Sequence, residues 1–131
     1  MRVAICQTNP IIGDFHHNRS LILDGVNRAR RKGCRLAVFP EMPLIGYPPR
    51  DFLLNRSFIE ENRSALNELS KEIRDIAVIC GFIDENPKKT GKPLINSAAL
   101  ISGGRIQARG GKRLLPNYDV YDEARYFEPA S

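Results

Sequence analysis

Two short apolar runs with one helical stretch between them limit the folds open to this chain more than any other feature. Residues 3–6 (Val3, Ala4, Ile5, Cys6) and 36–39 (Leu36, Ala37, Val38, Phe39) are nearly continuous in apolar character, as buried strands of a parallel sheet are. Asn9-Pro10 and Gly13-Asp14 break the first run. Asn18 is then placed as the N-cap of a helix over about 19–32, with Leu21, Ile22, Val26 and Ala29 on one face and Gly33 as its stop. Strand, helix and strand in this order predict a parallel pair joined by a right-handed crossover.

The pattern continues. Ser57 with Glu60 makes a capping box for a helix over about 58–74 that buries Ile59, Leu66, Leu69 and Ile73. A third strand is expected at 76–83, a polar turn at 84–92, and a hairpin of 94–102 with 105–108 around Gly103-Gly104. The order is β-α-β-α-β-β-β, an α/β layer of five strands and two helices. Two helices leave one face of such a sheet short of cover. The 131 residues suffice for one domain with its own core.

Composition excludes several classes. No apolar run approaches the roughly 18 residues of a membrane span, so no membrane partner is expected. The first residues enter a strand-like run with no signal-peptide layout, and the expected location is cytoplasmic. The net charge of +5 permits weak anion attraction, but its densest run (Arg28, Arg30, Arg31, Lys32, Arg35) reads as cations at a helix end, so no nucleic-acid partner is assigned. Three cysteines, Cys6, Cys34 and Cys80, lack a metal-like spacing and read as small buried hydrophobes. His16-His17 with Asp14 has no third ligand placed, and no metal is assigned.

Two places carry chemistry. Pro40 ends ladder pairing because it has no N–H, which sets Glu41 at the carboxyl end of a central strand, where open α/β sheets bind ligands. A carboxylate there can serve as a base; an exposed loop glutamate is the competing reading. The second place is residues 112–127, which hold six charges, three tyrosines, a phenylalanine and a proline with neither a helical nor a strand period. Such segments line sites or interfaces, and Lys112 is its leading candidate, with Glu41 as partner. Residues 42–54, which include Tyr47 in the run Gly46-Tyr47-Pro48-Pro49-Arg50-Asp51, are too apolar for a free linker and are expected to pack near the site.

These residues resemble a known family. Glu41, within Val38-Phe39-Pro40-Glu41-Met42-Pro43-Leu44-Ile45-Gly46-Tyr47-Pro48-Pro49-Arg50-Asp51, resembles the first motif of the nitrilase (carbon-nitrogen hydrolase) superfamily. Lys112 with Leu115-Pro116 resembles the second. The continuation Asn117-Tyr118, then Asp122-Glu123-x-Arg125-Tyr126-Phe127, is similar to one branch, the glutaminase domain of glutamine-dependent NAD synthetases. Gln7-Thr8-Asn9-Pro10-x-x-Gly13-Asp14 and Asn96-Ser97-Ala98 fit that branch too. Asp119, Ile95 and Gly110-Gly111 depart from its usual glycine, tyrosine and aromatic residue.

The resemblance implies the N-terminal portion of an α-β-β-α sandwich, commonly assembled into homo-oligomers. It implies amide hydrolysis of glutamine by a Cys-Glu-Lys triad, with Glu41 as the proton carrier and Lys112 as the oxyanion stabiliser. Tyr118, Tyr47 and Glu123 are the substrate-binding candidates it implies. The glutaminase step needs no cofactor; ATP and Mg are expected only in a C-terminal synthetase domain, which would use the ammonia to make NAD from its deamido form. In the family the cysteine follows the lysine, yet Cys6, Cys34 and Cys80 all precede Lys112. Residues 1–131 are therefore expected to be one incomplete domain that stops before its nucleophile and has negligible glutaminase activity alone. The alternatives are a stand-alone nitrilase-type amidase and a non-catalytic assembly module with a structural Glu41–Lys112 ion pair.

Overall fold

The computed structural model describes residues 1–88 and 90–131. In chain order the elements are β1 (Val3–Ile5), α1 (Phe15–Arg31), β2 (Leu36–Val38), a 3-10 turn (Arg50–Leu54), α2 (Arg56–Glu72), β3 (Ala77–Glu85), β4 (Leu94–Ser102), β5 (Arg105–Gly111) and a second 3-10 turn (Glu123–Arg125). The strands form one sheet in sequence order. β1, β2 and β3 run parallel, and β4 and β5 add antiparallel ladders. Right-handed crossovers in a sheet that grows in one direction put both helices on the same face. There the helices meet, and Arg19 of α1 ion-pairs with Glu68 and Glu72 of α2.

The register explains the core. Ala4, Ala37, Val78 and Ile101 share one row across the sheet, and Ile5, Val38, Ile79 and Leu100 share the next. Adjacent rows face opposite ways. The first packs with Ile22, Val26 and Ala29 of α1 and Ile59, Leu66 and Leu69 of α2. The second lies on the face that carries no helix among the described residues, and Ile5 there is 73% exposed. The expectation of a fully buried first strand is thus corrected. β1 is an edge strand with one face covered, so only its Ala4 side points into the core.

Both helix starts also differ from expectation. Asp14 caps α1 by accepting from the His17 N–H at 3.0 Å, so the helix begins a turn earlier than Asn18. Asn18 is fully buried and instead bonds the Ile11 N–H (2.8 Å), the Ile11 carbonyl (2.7 Å) and the Leu44 carbonyl (3.0 Å). Asn55 caps α2 by accepting from the Ser57 N–H at 3.0 Å, and Glu60 pairs with Arg56 at 2.9 Å rather than closing a box with Ser57. The expected buried face of α2, Ile59, Leu66, Leu69 and Ile73, is the observed one. The hairpin turns on Gly103 and Gly104 with φ of 60° and 77°, the paired positive values of a primed two-residue turn. Asp84 and Glu85 remain in β3 rather than in the polar turn, and Lys89 of that turn lies outside the described residues.

Asn62 ties α2 to the sheet. Its side chain donates to the Ile83 carbonyl at 2.7 Å and accepts from the Ile83 N–H at 3.2 Å, all fully buried. Removing it strands two buried backbone groups on β3. Asn62→Ala is expected to lower stability by roughly 2–4 kcal/mol, read as a drop in the denaturant midpoint at unchanged slope.

Candidate active site

The site forms where three strands end on the helix-free face. β2 makes its last ladder contact through the Phe39 N–H, which donates to the Ile79 carbonyl at 3.0 Å. Pro40 follows, and the chain then crosses over β3. A Cβ on Gly81 would lie 2.6 Å from the Met42 nitrogen and 3.3 Å from the Glu41 Cα, so glycine is needed for that approach. Beyond it Met42, Leu44 and Ile45 are fully buried, which fixes the segment that carries Glu41.

Lys112 directly follows β5. Its N–H donates to the Asn96 carbonyl of β4 at 2.7 Å, and its own carbonyl accepts from the Ala130 N–H at 3.0 Å. The side chain then reaches two carboxylates, with Nζ 3.0 Å from Glu41 Oε1 and 3.0 Å from Glu123 Oε1. The Tyr47 hydroxyl donates to the same Glu123 oxygen at 2.8 Å. Asn96 Nδ2 donates to Glu41 Oε1. Glu123 is 4% exposed and sits in the second 3-10 turn, its N–H donating to the Pro116 carbonyl at 3.0 Å. Glu123 Oε2 is buried with no hydrogen-bond partner among the described residues.

Electrostatics follow from this packing. Burial by itself pulls the Lys112 ammonium down, but the hydrogen bonds and charges of Glu123 and Glu41 more than offset it, and its pKa is raised. The Tyr47 hydroxyl is pushed well up, first by burial and then by its bond to Glu123. Lys112 thus stays cationic and Tyr47 stays a donor. A cavity of about 280 Å³ opens beside Glu41, Asn96 and Lys112, floored by Ala98, Gly110 and Gly111. That is close to the lower end, roughly 300 Å³, of small-molecule pockets.

The structure therefore brings Glu41, Lys112, Glu123 and Tyr47 together. Tyr118 stands apart: it is 67% exposed, meets Tyr121 edge-on at 5.7 Å, and reaches Tyr47 only through that ring, at 6.2 Å. Sequence reasoning assigned no role to Asn96. The available signal was an amide in the mostly apolar run of β4, Leu94 to Ile101, where only Asn96 and Ser97 are polar and a buried polar group needs a partner.

No thiol joins the group. Cys80 shares the sheet face of Val78 and Ala99, on the helix side, and burial pushes its thiol up to about 12. Cys6 has the same parity as Ala4 and lies by α1, where a Cβ on Gly25 would be 3.5 Å from its sulfur. Cys34 follows α1, its N–H donating to the Ala29 carbonyl at 3.0 Å. In the native fold Cys80 is expected to resist iodoacetamide through neutral and mildly alkaline pH, while half-buried Cys6 and Cys34 are alkylated first. Peptide mapping checks this; rapid loss of the Cys80 thiol would contradict the packing.

A glutamate and a lysine beside a cavity can move a proton and stabilise an oxyanion. Covalent attack needs a further group. No helix among the described residues is long and apolar enough to cross a membrane. The family model of carbon-nitrogen hydrolases matches residues 2–131. The glutamine-dependent NAD(+) synthetase of Thermotoga maritima is 40% identical over 131 residues, which is 98% of this chain and 22% of that protein. The one from Synechocystis sp. is 39% identical over 98% of this chain and 24% of its own length. Among solved structures, the glutamine-dependent NAD+ synthetase of Acinetobacter baumannii bound to ADP superposes with a TM-score of 0.89 at 35% identity, over 98% of this chain and 24% of that one. An amidase from Nesterenkonia sp. superposes at 0.79 with 27% identity, over 100% of this chain and 48% of that one. A mutant of that amidase shows the Michael addition of acrylamide at its active-site cysteine. The chain thus spans under a quarter of the synthetases it matches and about half of the amidase.

Proposed function

Because the chain belongs to the carbon-nitrogen hydrolase family, we propose that it contributes the proton-handling and oxyanion-binding side of a glutaminase site whose thiol comes from outside residues 1–131. The observation that carries this is the Lys112 ammonium held 3.0 Å from both Glu41 and Glu123 beside a cavity. An amide is a poor electrophile, so its hydrolysis needs an activated thiolate, a proton carrier and fixed positive charge. Glu41 takes the thiol proton as sulfur attacks the glutamine side-chain carbonyl. Lys112 donates to the oxyanion of the tetrahedral intermediate. Glu41 then hands its proton to departing ammonia, and water releases glutamate from the thioester.

Glu123 holds Lys112, Tyr47 braces Glu123, and these two side chains make up the glutamine-binding set, from which the exposed Tyr118 stands apart. The two synthetases with the highest identities above are named for glutamine-dependent NAD(+) formation, and the ammonia of this site serves the same purpose. The complete protein then carries a synthetase domain that uses ATP and Mg, works in the cytoplasm and assembles from several copies. The test is NAD formation by the complete gene product with glutamine or with free ammonium as nitrogen source. Both are expected to work. Ammonium use without glutamine hydrolysis would overturn the glutaminase reading. Hydrolysis of other amides with no NAD formation would favour a stand-alone amidase.

A further inference from the structure

The same contacts give Asn96 a task. Glu41 Oε1 receives two donors, the Asn96 amide and the Lys112 ammonium, while no described residue donates to Oε2. Asn96 is itself 3% exposed and held in β4 opposite Ile83, so its amide cannot wander. A carboxylate held at one oxygen by two donors keeps one orientation and offers the other oxygen for chemistry. We propose that Asn96 is a positioning residue that locks Glu41 Oε1 and so dedicates Glu41 Oε2 to taking and returning the proton during amide hydrolysis. This rests on the glutaminase reading for the word proton; the orientation of Glu41 does not depend on it.

The geometry separates the side chain from the backbone. The Asn96 carbonyl anchors the Lys112 N–H at 2.7 Å, and that bond survives any side-chain substitution. Changes at the Asn96 side chain therefore act on Glu41 first. Asn96→Asp is nearly isosteric but replaces a donor with a carboxylate against a carboxylate. Two carboxyl groups that close share one proton as pH falls. The protonated Asp O–H then donates where the amide did, and Glu41 remains a base.

The experiment uses the complete gene product in wild-type, Asn96→Asp and Asn96→Ala forms. Glutamine kcat/KM is followed against pH, with ammonium-driven NAD formation as a control for intact folding. Asn96→Asp is expected to lose on the order of 100-fold at about pH 8, mainly in kcat, and to recover to within about 10-fold near pH 6. Asn96→Ala is expected to lose a similar factor with no recovery, and ammonium-driven synthesis to stay within about twofold in both. A flat deficit in Asn96→Asp, or activity near wild type at every pH, overturns the proposal while leaving the glutaminase reading in place. If the wild type hydrolyses no glutamine, that reading fails and a crystal structure of Asn96→Ala decides the positioning. The Glu41 carboxylate rotated off Lys112 supports it; Oε1 unmoved overturns it.

Discussion

Glu41→Gln in the complete gene product is expected to lower glutamine hydrolysis by about 10²–10⁴-fold, the range for loss of a positioned proton carrier. The substitution keeps volume and removes the basic oxygen, so a thiol at this site keeps its proton. The Lys112 bond at 3.0 Å loses its charge but can persist to the amide oxygen. The loss therefore falls on kcat, with KM moving little. Ammonium-driven synthesis, which bypasses the site, is expected to stay near wild type. Loss of both activities together would mean that Glu41 holds the fold rather than the proton.

Lys112→Met is expected to be nearly as damaging and to act twice. Losing the oxyanion donor costs about 10²–10³-fold in kcat. Losing the cation also leaves Glu123, 4% exposed, with only the Tyr47 hydroxyl, among the described residues, on its carboxylate. A charged hydrogen bond of this kind contributes roughly 2–3 kcal/mol, and much of that is expected to vanish from stability. The pH dependence has a definite sign. The folded-state pKa of Lys112 is raised above its ordinary 10.5, so its contribution is fully present below 10.5 and is lost as pH rises through the raised value. The stability gap between wild type and Lys112→Met is expected to be constant near neutrality and to close in strong alkali. Denaturation midpoints across that window measure it.

Much of this architecture was legible in the sequence because periodicity and turn chemistry act locally. Ile59, Leu66, Leu69 and Ile73 mark their helix face, and Gly103-Gly104 mark the hairpin. Pro40 marked the end of β2 and hence the place of Glu41. What escaped were long-range partnerships. Asn18 has the look of a cap, but its amide is used by Ile11 and by Leu44, which is distant in sequence. Val3 and Ile5 have the look of core, but their sheet face meets no helix among the described residues. Glu123 lies eleven residues beyond Lys112 in an irregular segment, and only the fold brings its Oε1 back to the ammonium. Asn96 has a visible anomaly, an amide in a mostly apolar strand, whose partner is 55 residues away.

Under the proposed function, residues 1–131 supply Glu41 and Lys112 to an amide hydrolase whose thiol lies elsewhere. The direct measurement is peptide mapping of the complete gene product, acid-quenched during turnover of glutamine, to find the γ-glutamyl thioester. The adduct is expected on a cysteine outside these residues in the wild type, and is expected to disappear in Glu41→Gln. An adduct on Cys6, Cys34 or Cys80, or undiminished adduct in Glu41→Gln, would contradict it.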